Sequence, residues 1–226
     1  MGPTYRIDSA LLSTVRIYGG SYALCNALRT LLGEVITERA LLDFLGEKGL
    51  GDAYSDGWAG LLRASLLAVQ EGERLTEQAL RRHRSGSVGA AIILYKQALR
   101  TAPSPKTYLL LGWAYSFQNH YDLAIRQCEL AIQLEPEWPD PYHDIGVYLI
   151  AMQEPAEAIP WLEKAAAQAS HRKFFRVWAD MGRAYEDMGV ESRAFDSYFR
   201  AWELNPEDGY AQKAMQRLSE GQGGMN

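Results

Sequence analysis

Cysteine is scarce in this sequence, and its placement excludes the common uses of the residue. Cys25 and Cys128 are the two cysteines among 226 residues, and neither belongs to a CxxC pair. The pattern therefore predicts no zinc site and no disulfide framework. Because unpaired cysteine is usually buried, we expect both to pack as small apolar side chains.

Long apolar runs and targeting segments are also missing. The best run, from Ile17 to Leu28, is flanked by Arg16 and Arg29 and is shorter than the roughly 20 residues that cross a bilayer. The start of the chain lacks the basic and apolar segments of a signal peptide. These features predict a cytoplasmic protein with no integral membrane segment.

Motifs that carry catalysis are absent as well. The histidines, His83, His120, His143 and His171, show no spacing typical of metal ligands, and no P-loop, GxGxxG or GxSxG motif occurs. The formal net charge of -5 argues against a non-specific nucleic-acid binder, because such proteins are usually basic. The sequence thus predicts no enzyme, no cofactor, no metal and no nucleic-acid partner.

What the sequence does have is a pattern that occurs three times between Pro105 and Pro206. An aromatic residue is followed by a large apolar residue and a glycine, then by another large residue, and later by two alanines. Gly112 and Gly146 are 34 residues apart, whereas Gly146 and Gly182 are 36 apart, so two residues are inserted between the later copies. The copies read Tyr108-Leu111-Gly112-Tyr115-Ala124-Cys128-Ala131-Pro136, Tyr142-Ile145-Gly146-Leu149-Ala158-Leu162-Ala165 and Trp178-Met181-Gly182-Tyr185-Ala194-Tyr198-Ala201-Pro206.

The order and the period of this pattern resemble the tetratricopeptide repeat (TPR). The resemblance implies an all-α fold, a right-handed superhelix of antiparallel helix pairs, each made of a helix A and a helix B. The glycine would let helix B cross helix A closely, with Ala124, Ala158 and Ala194 facing it from helix B. Pro136 and Pro206 would end helix B, because proline lacks an N–H and clashes with the preceding turn.

The repeats divide the chain into an N-terminal helical region and a TPR solenoid. Residues 1–71 lack the markers but carry apolar residues at helical spacing, with a loop rich in glycine and aspartate over 46–57. A degenerate repeat over 72–104 precedes the strict copies, unless Trp58 to Arg84 form one long helix instead. The predicted solenoid, 72–218, comprises the degenerate repeat, repeats at 105–138, 139–174 and 175–208, and a capping helix at 207–218, followed by a disordered tail at 219–226.

The resemblance also implies a partner-binding groove lined by the A helices. The groove would be apolar in its first half and charged in its second, which suits a peptide with an apolar anchor. Large aromatic side chains are often buried, so Trp113 and Phe117 either line this groove or pack against neighbouring helices. The candidate partner-binding residues are Lys106, Leu109, Trp113, Phe117, His143, Val147, Ile150, Arg176, Arg183 and Glu186.

Together these features favour a protein–protein interaction scaffold that binds a peptide or a partner protein and assists complex assembly. Two alternatives stay open: a secretion-type chaperone that holds an aggregation-prone client, and an enzyme subunit whose activity lies in residues 1–70. Homo-oligomer formation is also left open. We expect no carboxylate clamp for acidic chaperone tails, because the positions that form it in some TPR proteins hold Leu109, Trp113, Asp144, Arg176 and Asp180 here.

Overall fold

The computed structural model describes residues 57–168, 175–207 and 209–223, and within these ranges every regular element is an α-helix. The predicted all-α fold is confirmed. The helical segments expected before residue 57, most of the loop at 46–57, Cys25 and the inserted residues after Gln168 lie outside the described part. The helices are α1 (Gly57–Arg84), α2 (Val88–Thr101), α3 (Pro105–Ser116), α4 (Tyr121–Leu134), α5 (Pro139–Ala151), α6 (Pro155–Gln168), α7 (Phe175–Asp187), α8 (Glu191–Leu204) and α9 (Gly209–Gly223).

The chain divides into two compact units, with the boundary between Thr107 and Tyr108. In the first unit α1 packs against α2, and a Cβ on Gly72 would lie 3.1 Å from the Cβ of Ala102. Helix α1 continues without a break to Arg84. The expected start of a separate helix near Gly72 is therefore replaced by the long-helix alternative, and the predicted boundary at 71/72 falls inside this helix.

The second unit is built from helix hairpins whose crossing points are marked by glycine. A Cβ on Gly112 would lie 3.2 Å from the carbonyl oxygen of Ala124, in the hairpin of α3 and α4. On Gly182 it would lie 2.7 Å from Cδ1 of Tyr198, in the hairpin of α7 and α8. Gly146 makes a still closer approach between α5 and α6, where its Cβ would meet the side chain of Leu162. These glycines are needed because any side chain would push the paired helices apart.

The core of the second unit consists of small residues on the B helices and the larger side chains around them. Six alanines of the B helices have no exposed surface: Ala124, Ala131, Ala158, Ala165, Ala194 and Ala201. Cys128, Leu162 and Tyr198 occupy equivalent places in the three hairpins and are also fully buried. The prediction that Cys128 packs as a small apolar side chain is confirmed, and burial raises the pKa of its thiol well above the usual range.

Each A-to-B turn contains one residue with a left-handed backbone. Asn119 (φ 60°), Gln153 (φ 65°) and Gly189 (φ 72°) occupy this place in the second unit, and Gly86 (φ 81°) does so in the first. Their amides bond back to the end of helix A; Gln153, for example, donates to the carbonyl of Ile150 at 3.0 Å. Glycine and asparagine adopt this conformation more readily than glutamine, so the turn at Gln153 is the least relaxed of the four.

The last helix, α9, closes the second unit. Its buried residues, Ala211, Ala214 and Leu218, form one face, and the ring of Tyr210 meets Tyr198 edge-on at 6.0 Å. The helix continues to Gly223, so residues 219–223 are helical where a disordered tail was expected. None of the helices in the described ranges combines the length and the apolar character that crossing a membrane requires.

Candidate functional site

Three polar side-chain pairs join successive A helices of the second unit. The indole N–H of Trp113 on α3 donates to Asp144 on α5. His143 on α5 bonds to Asp180 on α7 at 2.8 Å, and Arg217 on α9 bonds to Glu186 on α7 at 2.8 Å. The partners are 31, 37 and 31 residues apart, close to one repeat. We call the surface that carries these pairs on α3, α5, α7 and α9 the A-helix face.

Asp144 is the most perturbed acid of this face. Burial raises its pKa to about 6, and the nearby carboxylates of Asp140 and Asp180 add to the rise. The hydrogen bond from Trp113 and the charge of His143 act in the opposite direction and offset only part of it. Asp144 therefore changes its charge near pH 6, and neighbouring groups offset only part of the cost of its negative charge.

Asp180 has a different environment one repeat further on. His143 Nε2 lies 2.8 Å from one of its oxygens, and a guanidinium nitrogen of Arg183 lies 3.8 Å from the other. Because a carboxylate can only accept hydrogen bonds, His143 donates through Nε2. This carboxylate is thus satisfied within the protein by two basic side chains.

The third pair, Glu186 and Arg217, also includes the hydroxyl of Tyr198. Glu186 accepts hydrogen bonds from Arg217 and from the hydroxyl of Tyr198, the latter at 2.9 Å. The Tyr198 side chain is fully buried, and burial raises its pKa far above the usual range. Its hydroxyl therefore remains a proton donor at all ordinary pH values, and it fixes the carboxylate that Arg217 binds.

The ten candidate residues fall into three groups. Lys106, Trp113, Phe117 and Arg176 are exposed, with 40% of Trp113 and 73% of Phe117 accessible to solvent. His143, Val147, Arg183 and Glu186 are partly buried, and three of these make the polar contacts described above. Leu109 and Ile150 are buried, so they have almost no surface to offer a partner. Lys106 belongs to the first unit.

Sequence reasoning missed the three partners that complete the polar pairs, Asp144, Asp180 and Arg217. The spacing could have revealed them, because each lies 31 or 37 residues after a predicted groove residue. Helices stacked with a period near 34 bring such positions together within about one helical turn. The sequence analysis considered Asp144 and Asp180 only as positions that fail to form a carboxylate clamp.

A concave region separate from the polar pairs lies among α6, α7 and α8. It has a volume of about 440 Å³, and its floor is formed by Trp178, Met181 and Tyr185 of α7. The guanidinium of Arg193 stands over the ring of Tyr185, 5.6 Å from its centre. Across the described residues, no three histidine, cysteine, aspartate or glutamate side chains come close enough to hold a metal ion.

Comparison with known families supports the repeat assignment. The tetratricopeptide repeat family matches residues 105–137, which is the first strict copy. A comparison with curated proteins finds no match.

Several solved structures share the fold. MamA is 23% identical, with 64% of this chain and 84% of MamA covered and a TM-score of 0.59. PilF from Pseudomonas aeruginosa is 17% identical, with 69% of this chain and 70% of PilF covered and a TM-score of 0.64. YrrB, described as a TPR protein with an unusual peptide-binding site, is 18% identical, with 67% of this chain and 78% of YrrB covered and a TM-score of 0.55. At these identities the likeness establishes the fold alone.

Proposed function

We propose, since the chain is built from tetratricopeptide repeats, that it is a non-enzymatic cytoplasmic scaffold that binds an extended segment of another protein along its A-helix face. The observation that carries the proposal is the exposure of Trp113 and Phe117 on α3 and just beyond it. An interaction scaffold needs such a surface. The proposed binding requires no cofactor.

The energetics favour a partner at this position. Burying a large apolar side chain contributes about 1.5–3 kcal/mol, and aromatic residues often dominate binding energy at interfaces. Trp113 and Phe117 are four residues apart, so they stand one helical turn from each other. A bound segment covers the two exposed side chains together, and the carboxylate of Asp144 lies at the edge of the Trp113 ring.

A matched pair of double variants can test this assignment. Trp113→Ala/Phe117→Ala removes the aromatic surface of the A-helix face. Phe195→Ala/Phe199→Ala removes two aromatic side chains of similar spacing from α8, a B helix, where they are 39% and 42% exposed. Both variants and the parent protein are immobilised and exposed to native lysate of the source organism, and the retained proteins are compared by quantitative mass spectrometry.

We expect the parent protein and the α8 variant to retain the same partner, and the A-helix variant to lose it while keeping its helical circular dichroism. Loss of the partner only with the α8 variant would move the binding surface to the B helices. Equal retention by all three proteins would contradict the proposal that Trp113 and Phe117, at the end of α3, carry binding.

A further inference from the structure

The carboxylate of Asp144 lies in the A-helix face with an uncharged donor as its partner. Its Oδ2 accepts the indole N–H of Trp113. Among the ion pairs of the described residues, none includes Asp144. The equivalent acid of the next repeat, Asp180, contacts both His143 and Arg183. The two acids occupy equivalent positions in their repeats, but only Asp180 forms ion pairs with basic side chains.

The surroundings of Asp144 make this charge imbalance larger. Asp140 lies one turn before it on α5 and accepts a hydrogen bond from another neutral donor, the indole of Trp138, at 2.9 Å. The negative charges of Asp140 and Asp180 both act on Asp144, and partial burial removes the water that would stabilise its ionised form. A positive charge placed beside this carboxylate would therefore be strongly favoured.

Beside the carboxylate of Asp144, the Trp113 ring offers a second group that attracts a cation. Its N–H edge is bound to Asp144, which fixes the ring beside the carboxylate, and 40% of the residue remains exposed. An arginine or lysine side chain over the face of an indole gains a cation–π interaction. Arginine can do so while its guanidinium also donates to a carboxylate, because the group is planar and carries several N–H donors.

We propose that Asp144 and the indole of Trp113 together receive a basic side chain of the bound segment, and that an apolar residue of the same segment covers Phe117. The inference rests on the proposed function, because it names the chemistry of the segment that the A-helix face binds. The segment is thus a peptide in which an arginine or lysine lies near a large apolar residue. Complementarity of charge distinguishes it from the acidic peptides that a carboxylate clamp would hold.

Selection from random-sequence peptides displayed on phage tests the inference directly. The bait proteins are the parent chain, Asp144→Asn, Trp113→Ala/Phe117→Ala and Asp122→Asn. The amide introduced by Asp144→Asn keeps an oxygen that can accept the bond from Trp113, so the variant removes the charge with little change of shape. Asp122→Asn is the matched control, because it removes an exposed carboxylate from α4.

We expect the parent and the Asp122→Asn control to select peptides enriched in both basic and large apolar residues. Asp144→Asn should keep the apolar enrichment and show a much weaker basic one, and the aromatic double variant should lose both. Peptides selected by the parent without basic enrichment would overturn this inference and leave the proposed function standing. A parent chain that selects no peptide would contradict the proposed function itself.

A second measurement separates a direct contact from a general effect of charge. The best selected peptide is compared with an analogue in which citrulline replaces arginine, or norleucine replaces lysine, by calorimetric titration. The parent should lose affinity for the neutral analogue by at least about tenfold, whereas Asp144→Asn, which keeps the indole of Trp113, should lose less than about fivefold. Equal losses for the two proteins would show that the basic residue binds elsewhere and would overturn the inference.

Discussion

Arg217 of α9 binds both carboxylate oxygens of Glu186 on α7, with its Nη2 atom 2.8 Å from Oε1 and 2.9 Å from Oε2. The same carboxylate accepts the hydroxyl of the buried Tyr198 on α8. One glutamate therefore links three helices, and the last helix is attached by a polar contact in addition to its apolar face.

Replacing this arginine should loosen the end of the chain locally. Because Arg217 is largely exposed, we expect Arg217→Met to cost only about 1 kcal/mol. Amide hydrogen exchange in α9 should become about fivefold faster, while α5 and α6 stay unchanged. Arg200→Met is the control, since its partner Glu203 lies within the same helix. Unchanged exchange in α9 would mean that its apolar face alone holds it.

The crossing of α7 and α8 should not tolerate a methyl group. A Cβ on Gly182 would lie within 2.9 Å of three ring atoms of Tyr198, whose hydroxyl is tied to Glu186. Gly182→Ala should therefore lower the free energy of unfolding by about 1–3 kcal/mol, measured by urea denaturation.

Gly209→Ala provides the comparison for this substitution. It adds the same methyl group at the start of α9, where no atom lies within 4 Å of the added Cβ. We expect no loss of stability there, because alanine is a better helix former than glycine. Equal effects of the two substitutions would refute close packing as the cause.

The turn between α5 and α6 should gain from a glycine. Gln153 has a φ of 65°, and a side chain disfavours this conformation. Gln153→Gly should raise the thermal midpoint, with a gain of about 0.5–1 kcal/mol. The same change at Asn119 should have a smaller effect, because asparagine tolerates a left-handed backbone. A lower midpoint for Gln153→Gly would show that the conformation is not strained.

Asp144 should make the stability depend on pH between about 4 and 6. Its folded pKa, about 6, lies above the ordinary value of 3.8, so the folded state binds the proton more tightly than the unfolded state does. The resulting stabilisation is complete below pH 4 and is lost as the pH rises through 6. At pH 7 the Asp144→Asn variant should be more stable than the parent by up to about 3 kcal/mol, and the difference should vanish near pH 4.

Denaturant titrations of both proteins at several pH values measure this difference. Groups that do not interact with Asp144 cancel when the variant is subtracted from the parent. A difference that does not change with pH would contradict the assignment. The titratable groups around Asp144 are Asp140, His143 and Tyr148 on α5, Asp180 on α7 with Arg183 beside it, and Cys128 on α4.

The sequence predicted the fold well at positions where the packing allows only one residue type. Gly112, Gly146 and Gly182 marked the helix crossings because no other residue fits there, and the buried alanines followed the same period. Helix ends were less predictable. Nothing in the glycine-containing stretch from Leu66 to Leu80 prevents α1 from continuing, and Ser219 to Gly223 remain helical despite their two glycines, because propensity is a weak constraint.

The candidate site was predicted only in part. The position of a residue within a repeat predicts where the residue lies, but it does not predict which side chains surround it. Trp113 and Phe117 expose surface, whereas Leu109 and Ile150 at other groove positions are buried in the core. The polar pairs depend on which side chains the neighbouring repeat places opposite each position. Asp144 gains its chemistry from Asp140, Asp180 and Trp113, and no single repeat contains all of these.

In the first two polar pairs the hydrogen-bond donor lies on the earlier A helix, and in the last pair it lies on the later one. Trp113 and His143 each donate a hydrogen bond to a carboxylate of the next A helix, whereas in the last pair Glu186 of α7 is the acceptor and Arg217 of α9 is the donor. Arg217 is the ninth residue of α9, and the ninth residues of α3 and α5 are Trp113 and Val147. A further copy of the first or second strict repeat placed after α8 would therefore present an uncharged side chain to Glu186 instead of an arginine. Glu186 would then keep the hydroxyl of Tyr198 and lose its charged partner, so the arginine of α9 is specific to the helix that ends the unit.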